Sequence, residues 1–346
     1  MSTPTHTHAP PRLPTRKPAS PARFVIAGVV LVAGMAALRA FTPGSGGIEL
    51  GDIAQDFVTL SLAVVIESIP FVFLGIGLAV VVQVWVPERV LLRVLPRTPV
   101  LRRMALSLLG VLLPVCECGN VPLSRGLVMR GLTVPEAMTF LVAAPIVNPV
   151  TIITTYQAFG FDDGILVARI VGGFAIANLV GWLFSRHPDP DALLTRSFSA
   201  TCQRARDHAH DGHGDRWRRS VESFAAETTA MMPALLVGSA IAGLIQVAVS
   251  RDVLVTLGSN PILSVFVLMV LAFVISVCSN VDAFFVLALG ATFLPGAIVA
   301  FLLFGPVIDI KMLALMRTTY SARTLALLTA IVGLSSATIG LAINLA

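Results

Sequence analysis

Apolar residues in this chain come as long unbroken runs, not at the 3.6- or 2-residue spacing that leaves one face of a helix or strand polar. Runs near the roughly 20 residues that cross a hydrocarbon core occupy 24–41, 57–85, 135–159, 165–185, 224–249, 295–316 and 324–344. Two further apolar stretches, 100–131 and 262–293, are broken by the polar clusters CECGNVP (116–122) and CSNVDAF (278–284). Backbone in lipid must satisfy its own hydrogen bonds, so the pattern predicts an all-α polytopic membrane protein. The 24–41 run is too long for the apolar region of a signal peptide and is expected to be an extra N-terminal transmembrane helix.

The polar intervals give the chain a sidedness. Residues 87–103 carry five arginines and 186–223 carry seven, and such loops stay in the cytoplasm. That places the N-terminus in the cytoplasm, with the Pro-, Thr- and His-rich residues 1–23 as a disordered tail. Lys311, Arg317 and Arg323 read as the cytoplasmic end of the 295–316 run. A single crossing by 100–131 would put the arginine-rich 186–223 loop outside. The charge pattern therefore predicts a re-entrant hairpin that enters near Val100, returns near Arg130 and has its tip at CECGNVP. Irregular backbone at that depth is stable only when buried in protein or lining a watery cavity.

An internal repeat supports the same topology. At an offset of 163 residues, Pro70, Gly75 and Gln83 fall on Pro233, Gly238 and Gln246. At 160, Cys118 and Asn120 fall on Cys278 and Asn280, and at 161, Pro145 and Asn148 fall on Pro306 and Asp309. Repeat units of 57–185 and 224–346, joined by a cytosolic His- and Arg-rich loop over 186–223, would each hold a span, a hairpin and two more spans. An odd number of crossings inverts the second unit relative to the first. The expectation is about seven full spans plus two broken, re-entrant hairpins in an inverted structural repeat, an architecture that recurs in secondary transporters.

Composition narrows the class without changing the picture. Of 346 residues, 56% are hydrophobic and 12% charged, with a mean hydropathy of +0.87, which excludes an ordinary soluble domain. The net charge of +5 lies in loops and suits lipid headgroups, not nucleic acid. No nucleotide-binding, hydrolase or H-E-x-x-H motif is present, so neither an enzymatic activity nor a cofactor is expected. The partners expected are the bilayer and a small-molecule or ion substrate; homo-oligomerisation is left open.

Candidate chemistry gathers at the polar breaks. Carboxylates inside a membrane are costly unless paired or protonated, so Glu67, Glu117, Asp282 and Asp309 are candidates for proton coupling. The alternatives are internal ion pairs, with Arg125 as a counter-charge, or helix caps. Cys116 and Cys118 offer soft sulfur donors that favour thiophilic ions, and irregular backbone can turn both toward one ligand. Cys278 is a third donor by repeat symmetry, although alone it reads as a small packing residue. Asn120, Asn280, Asp282 and Glu117 complete the candidate binding set at the tips. Asn148 and Pro149, with Pro145 and Pro306, mark either helix interruptions facing the tips or plain kinks. His208, His210 and His213 sit among aspartates in the polar loop, a weak metal site that equally reads as a solvated linker.

The motif C-x-C-G-N-V-P-L, followed about twenty residues later by F-L-V-A-A-P-I-V-N-P, resembles the YraQ-like predicted permease family, which includes the ArsP organoarsenical efflux permeases. The resemblance covers roughly 57–345. It implies a plasma-membrane permease that exports a small thiophilic or metalloid species, with Cys116 and Cys118 on the substrate. Glu117 and the histidine-rich loop are not features that the resemblance accounts for. Two alternatives stay open: a channel or importer for a small anion drawn in by helix N-termini and Arg125, and a membrane component of a metal-handling assembly.

Overall fold

The computed structural model describes residues 52–112, 115–161, 163–207, 216–248, 260–289 and 293–345. The expected tail and the 24–41 helix lie outside these residues, as do His208, His210 and His213. The chain is helical, without strands among the described residues. Helix α1 runs over Asp52–Val80 and ends in a π-helical turn, Val81–Trp85. Then follow α2 (Glu88–Val94), α3 (Pro99–Leu112), α4 (Glu117–Met129), α5 (Val134–Ala143), α6 (Pro149–Phe159) and α7 (Ile165–Phe184). A 3-10 turn (Pro190–Leu193) and α8 (Arg196–Asp207) form the linker. The second half holds α9 (Arg216–Ala248), α10 (Leu263–Ile275), α11 (Asp282–Leu287), α12 (Pro295–Phe304), α13 (Ile310–Met316) and α14 (Ala322–Leu345).

Four helices, 54–85, α7, 216–247 and α14, are long and apolar enough to cross a membrane. The runs 135–159 and 295–316 are each split, at 144–148 and 305–309, so of the two readings of Pro145, Asn148, Pro149 and Pro306 the structure has the helix interruption and not the plain kink. Proline explains both splits. Pro145, Pro149 and Pro306 lack the N–H that an unbroken helix needs and crowd the preceding turn. Asn148 and Asp309 then cap the second halves, accepting from Val150 N at 2.9 Å and Met312 N at 2.6 Å.

The first polar break lies earlier than the sequence suggests. Cys116 is the N-cap of α4, and Glu117 through Pro122 are helical. Pro122 costs that helix one bond, leaving the carbonyl of Cys118 without its partner four residues on. Gly119 answers to packing, not to a turn: a Cβ there would stand 2.5 Å from Phe71 O, because α4 crosses α1 backbone to backbone at Gly75.

Polarity is distributed inside out. Val58, Ile66, Leu74, Leu112, Val171 and Leu334 face outward, while Arg103, Glu117, Arg125, Glu136, Arg169, Glu227, Asp282, Asp309 and Lys311 are buried. Lipid tails reward no burial of leucine, so helices in a bilayer associate through small and polar residues instead. Helix contacts follow one scheme in both halves: α3 packs on α5 and α5 on α7, as α10 packs on α12 and α12 on α14. The halves meet through α1 with α9, α4 with α13 and α6 with α11.

Candidate functional site

The contacts of α4 with α13 and of α6 with α11 bring the two polar breaks together. At the first, the side chain of Asn148 donates to Val115 O at 2.8 Å and so ties the α5–α6 interruption to the turn before α4. Cys116, Glu117 and Cys118 follow, all fully buried. At the second, α10 ends on Ser276, a non-glycine residue at φ 52°, which turns the chain into Cys278, Ser279 and Asn280. Gln246 of α9 donates to Ile275 O at 2.8 Å, satisfying a carbonyl exposed by that ending. Gln83, its counterpart by the sequence offset, has no partner for its Nε2.

Glu117 joins the two breaks. Its Oε2 accepts from Ser279 N at 3.2 Å and Ser279 Oγ at 2.8 Å, and lies 3.6 Å from Cys278 Sγ. Its Oε1 is 3.3 Å from Lys311 Nζ, and both side chains are buried. A carboxylate so deep is held by one cation and two neutral donors, the combination that offsets desolvation of a charge.

The thiols gather around this carboxylate. Ligand atoms of Cys116, Glu117 and Cys118 lie within 4.8 Å of one another. Cys278 Sγ comes to the same carboxylate, 3.6 Å from Glu117 Oε2, and Cys118 Sγ is 3.7 Å from Ser68 Oγ on α1. All three cysteines are free and buried. Two soft donors beside a carboxylate, with a third thiol against that carboxylate, suit a thiophilic ion or a trivalent metalloid held by sulfur. Near them, Asn120 keeps both polar side-chain atoms buried without a partner, and Asn280 its Oδ1. Such groups ordinarily find a bond, so Asn120 and Asn280 have bonding capacity to spare.

The remaining candidates are distributed around this centre. Asp282 makes a two-pronged ion pair with Arg169 of α7, at 2.9 and 2.6 Å, and Arg169 also reaches Thr155 of α6 at 2.8 Å. Asp309 caps α13 through one oxygen while its Oδ2 has no partner. Glu67 is exposed on α1, one residue before the buried Ser68, within electrostatic range of Lys311 and Glu117. Pro149 is the first residue of α6. Arg125 is committed elsewhere: it pairs with Glu227 of α9 at 2.8 Å, reaches Thr319 Oγ1 at 3.2 Å and stacks 4.1 Å over the Phe198 ring of the linker.

Two basic residues of the site are not among the site candidates that the sequence offers. Lys311, expected at the cytoplasmic end of its run, is 1% exposed and faces Glu117; Arg169, equally buried, faces Asp282. A signal existed, since each is a lone base inside an apolar run, the same anomaly that singles out the carboxylates.

A buried, thiol-rich centre where interrupted helices meet inside an apolar bundle defines a membrane permease. Residues 53–345 match a family described as a predicted permease, ArsP_1. The chain belongs to this permease family and is a multi-pass membrane protein. It is similar to the UPF0718 protein YcgR of Bacillus subtilis, with 32% identity over 78% of this chain and 90% of the relative. A Streptococcus mutans relative, named as a subunit of a two-component membrane permease complex, is 30% identical over 77% of this chain and 87% of its own length. The UPF0718 protein YraQ of Escherichia coli is 29% identical over 33% of this chain and 32% of its own length. No solved structure matches the chain.

Proposed function

We propose that this permease is a secondary transporter that exports a small thiophilic species, a trivalent organoarsenical or a soft metal ion, through the Cys116, Cys118 and Cys278 cluster. The observation that carries the reading is the pair of free thiols, Cys116 and Cys118, within 4.8 Å of the Glu117 carboxylate, which Cys278 and Lys311 of the second half also reach. A monosubstituted arsenic(III) dihydroxide loses its two hydroxyls as water and takes two of the sulfurs. A soft cation takes thiolates instead, and the released protons pass to Glu117. Asn120, Asn280 and the freed carbonyl of Cys118 orient the cargo, and Glu67, exposed beside Ser68, passes protons to the surface. Asp282 and Asp309 bias the second half through Arg169 and the start of α13. Arg125, already paired with Glu227, is not free to draw in the anion of the importer alternative.

The two halves act as inverted repeats, with about seven crossings and two re-entrant hairpins once the 24–41 helix is counted. Support comes from the matching order of elements and contacts in the two halves. It comes also from the shared capping role of Asn148 and Asp309. The arginine-rich loops favour a bacterial plasma membrane with the N-terminus in the cytoplasm. Alternating access then follows from rocking one half against the other around the shared thiol centre.

Uptake of a trivalent methylarsenical into everted membrane vesicles tests the reading. Cys116→Ser and Cys118→Ser are expected to reduce proton-dependent accumulation at least about tenfold, since each removes a ligand present in the binding set. Wild-type accumulation by either variant refutes it.

A further inference from the structure

Away from the thiols, a cavity of about 680 Å³ opens between the linker and the turn joining α13 to α14. Its walls are stitched together. Thr195 N donates to Thr319 O at 2.8 Å, Ser321 N to Leu193 O at 2.9 Å, and Thr324 Oγ1 to Leu193 O at 2.9 Å. Into it project Arg196 from the linker and Arg317 and Arg323 from the turn, with Ser199 beside them and Asp191 as the one carboxylate in the lining. The lining thus carries a net of two positive charges. Among the described residues neither Arg196 nor Arg323 has an ion-pair partner, and Arg317 donates to the carbonyl of Tyr320 at 3.2 Å. Three guanidinium groups around one cavity repel one another unless an anion stands between them.

We infer that this cavity binds a phosphate group, whose occupancy clamps the linker helix α8 onto the α13–α14 turn. Guanidinium forks match phosphate oxygens two at a time, which a small halide cannot exploit. The volume exceeds what a bare phosphate needs, leaving room for whatever the phosphate is attached to. The shared chemistry has two sources: the headgroup of an anionic phospholipid, or a soluble phosphate. The binding requires nothing of the thiol centre, so it stands or falls separately from the transport reading.

The test uses the full-length protein in phosphatidylcholine nanodiscs. Thermal unfolding is followed as phosphatidylglycerol is blended in, and separately as inorganic phosphate is added. Stabilisation by the lipid alone assigns the headgroup; stabilisation by phosphate in pure phosphatidylcholine assigns the soluble ligand. Either supports the inference provided that R196Q/R323Q weakens the effect by roughly 10- to 100-fold, the share of two arginines, while R93Q/R97Q, which removes two exposed charges elsewhere, leaves it intact. Both arginines of the test pair are exposed, and R323E alone must weaken the effect as well. No stabilisation by either probe, or equal loss in the control pair, overturns the inference.

Discussion

At the residue scale, burial decides which charges matter. Arg218 and Glu222 form an exposed pair one helical turn apart, at 2.9 Å, and such pairs contribute about 0.3–0.5 kcal/mol. The Glu117–Lys311 pair is longer, at 3.3 Å, but its side chains are 1–2% exposed. Removing one member of a buried pair strands the other charge, at a cost of about 3–5 kcal/mol. Glu117→Gln and Lys311→Met are therefore each expected to lower the unfolding temperature in detergent sharply. The double variant should recover most of that loss without recovering transport, and Glu222→Gln should leave both unchanged. Equal, additive losses in the two single variants and the double would show that the pair is not coupled. The carboxylates were legible in the sequence because an acid in an apolar run is conspicuous. Their partners were less so: lysine and arginine near a run's end are ordinarily topology markers, and only the fold shows that Lys311 and Arg169 turn inward.

At the element scale, the position of α4 is set by a backbone crossing. Gly119 and Gly75 let α4 lie against α1, which brings Cys118 beside Ser68. Any side chain at Gly119 must push the helices apart, since beyond the Val115 side chain it meets the α1 backbone at Phe71 O. Gly119→Val is expected to abolish assembly of the thiol centre and reduce the yield of monodisperse protein. Gly77→Ala, with nothing within 4 Å of the added methyl, should be neutral or stabilise by up to about 1 kcal/mol through helix propensity. Similar size-exclusion profiles for the two variants would contradict the crossing. The interruption of the 135–159 and 295–316 runs was legible as proline and asparagine, though not as distinct from a kink. The start of α4 at Glu117 was not legible, because Gly119, Asn120 and Pro122 carry the signature of a turn. The packing that keeps them helical comes from α1, far away in sequence.

At the scale of the whole molecule, the matching element order and the paired contacts are what a transporter built from two inverted halves requires. The arginine counts of the loops predict a sidedness. Single cysteines introduced at Arg93 and Arg218 into a background without other accessible thiols are expected to react with an impermeant maleimide only from the cytoplasmic face. Labelling of either from outside would reverse the topology. What suggests a repeat in the sequence is that Cys118 with Cys278 and Asn148 with Asp309 keep nearly the same offset. What the offset could not give is how the halves interlock, α4 on α13 and α6 on α11, which brings Cys278 to the carboxylate that Cys116 and Cys118 flank in sequence. X-ray absorption at the arsenic edge of the purified protein loaded with a trivalent phenylarsenical tests that centre directly. Two sulfur neighbours per arsenic, falling on Cys116→Ser, is the result expected; arsenic bound only through oxygen, or sulfur coordination untouched by that substitution, would contradict the account.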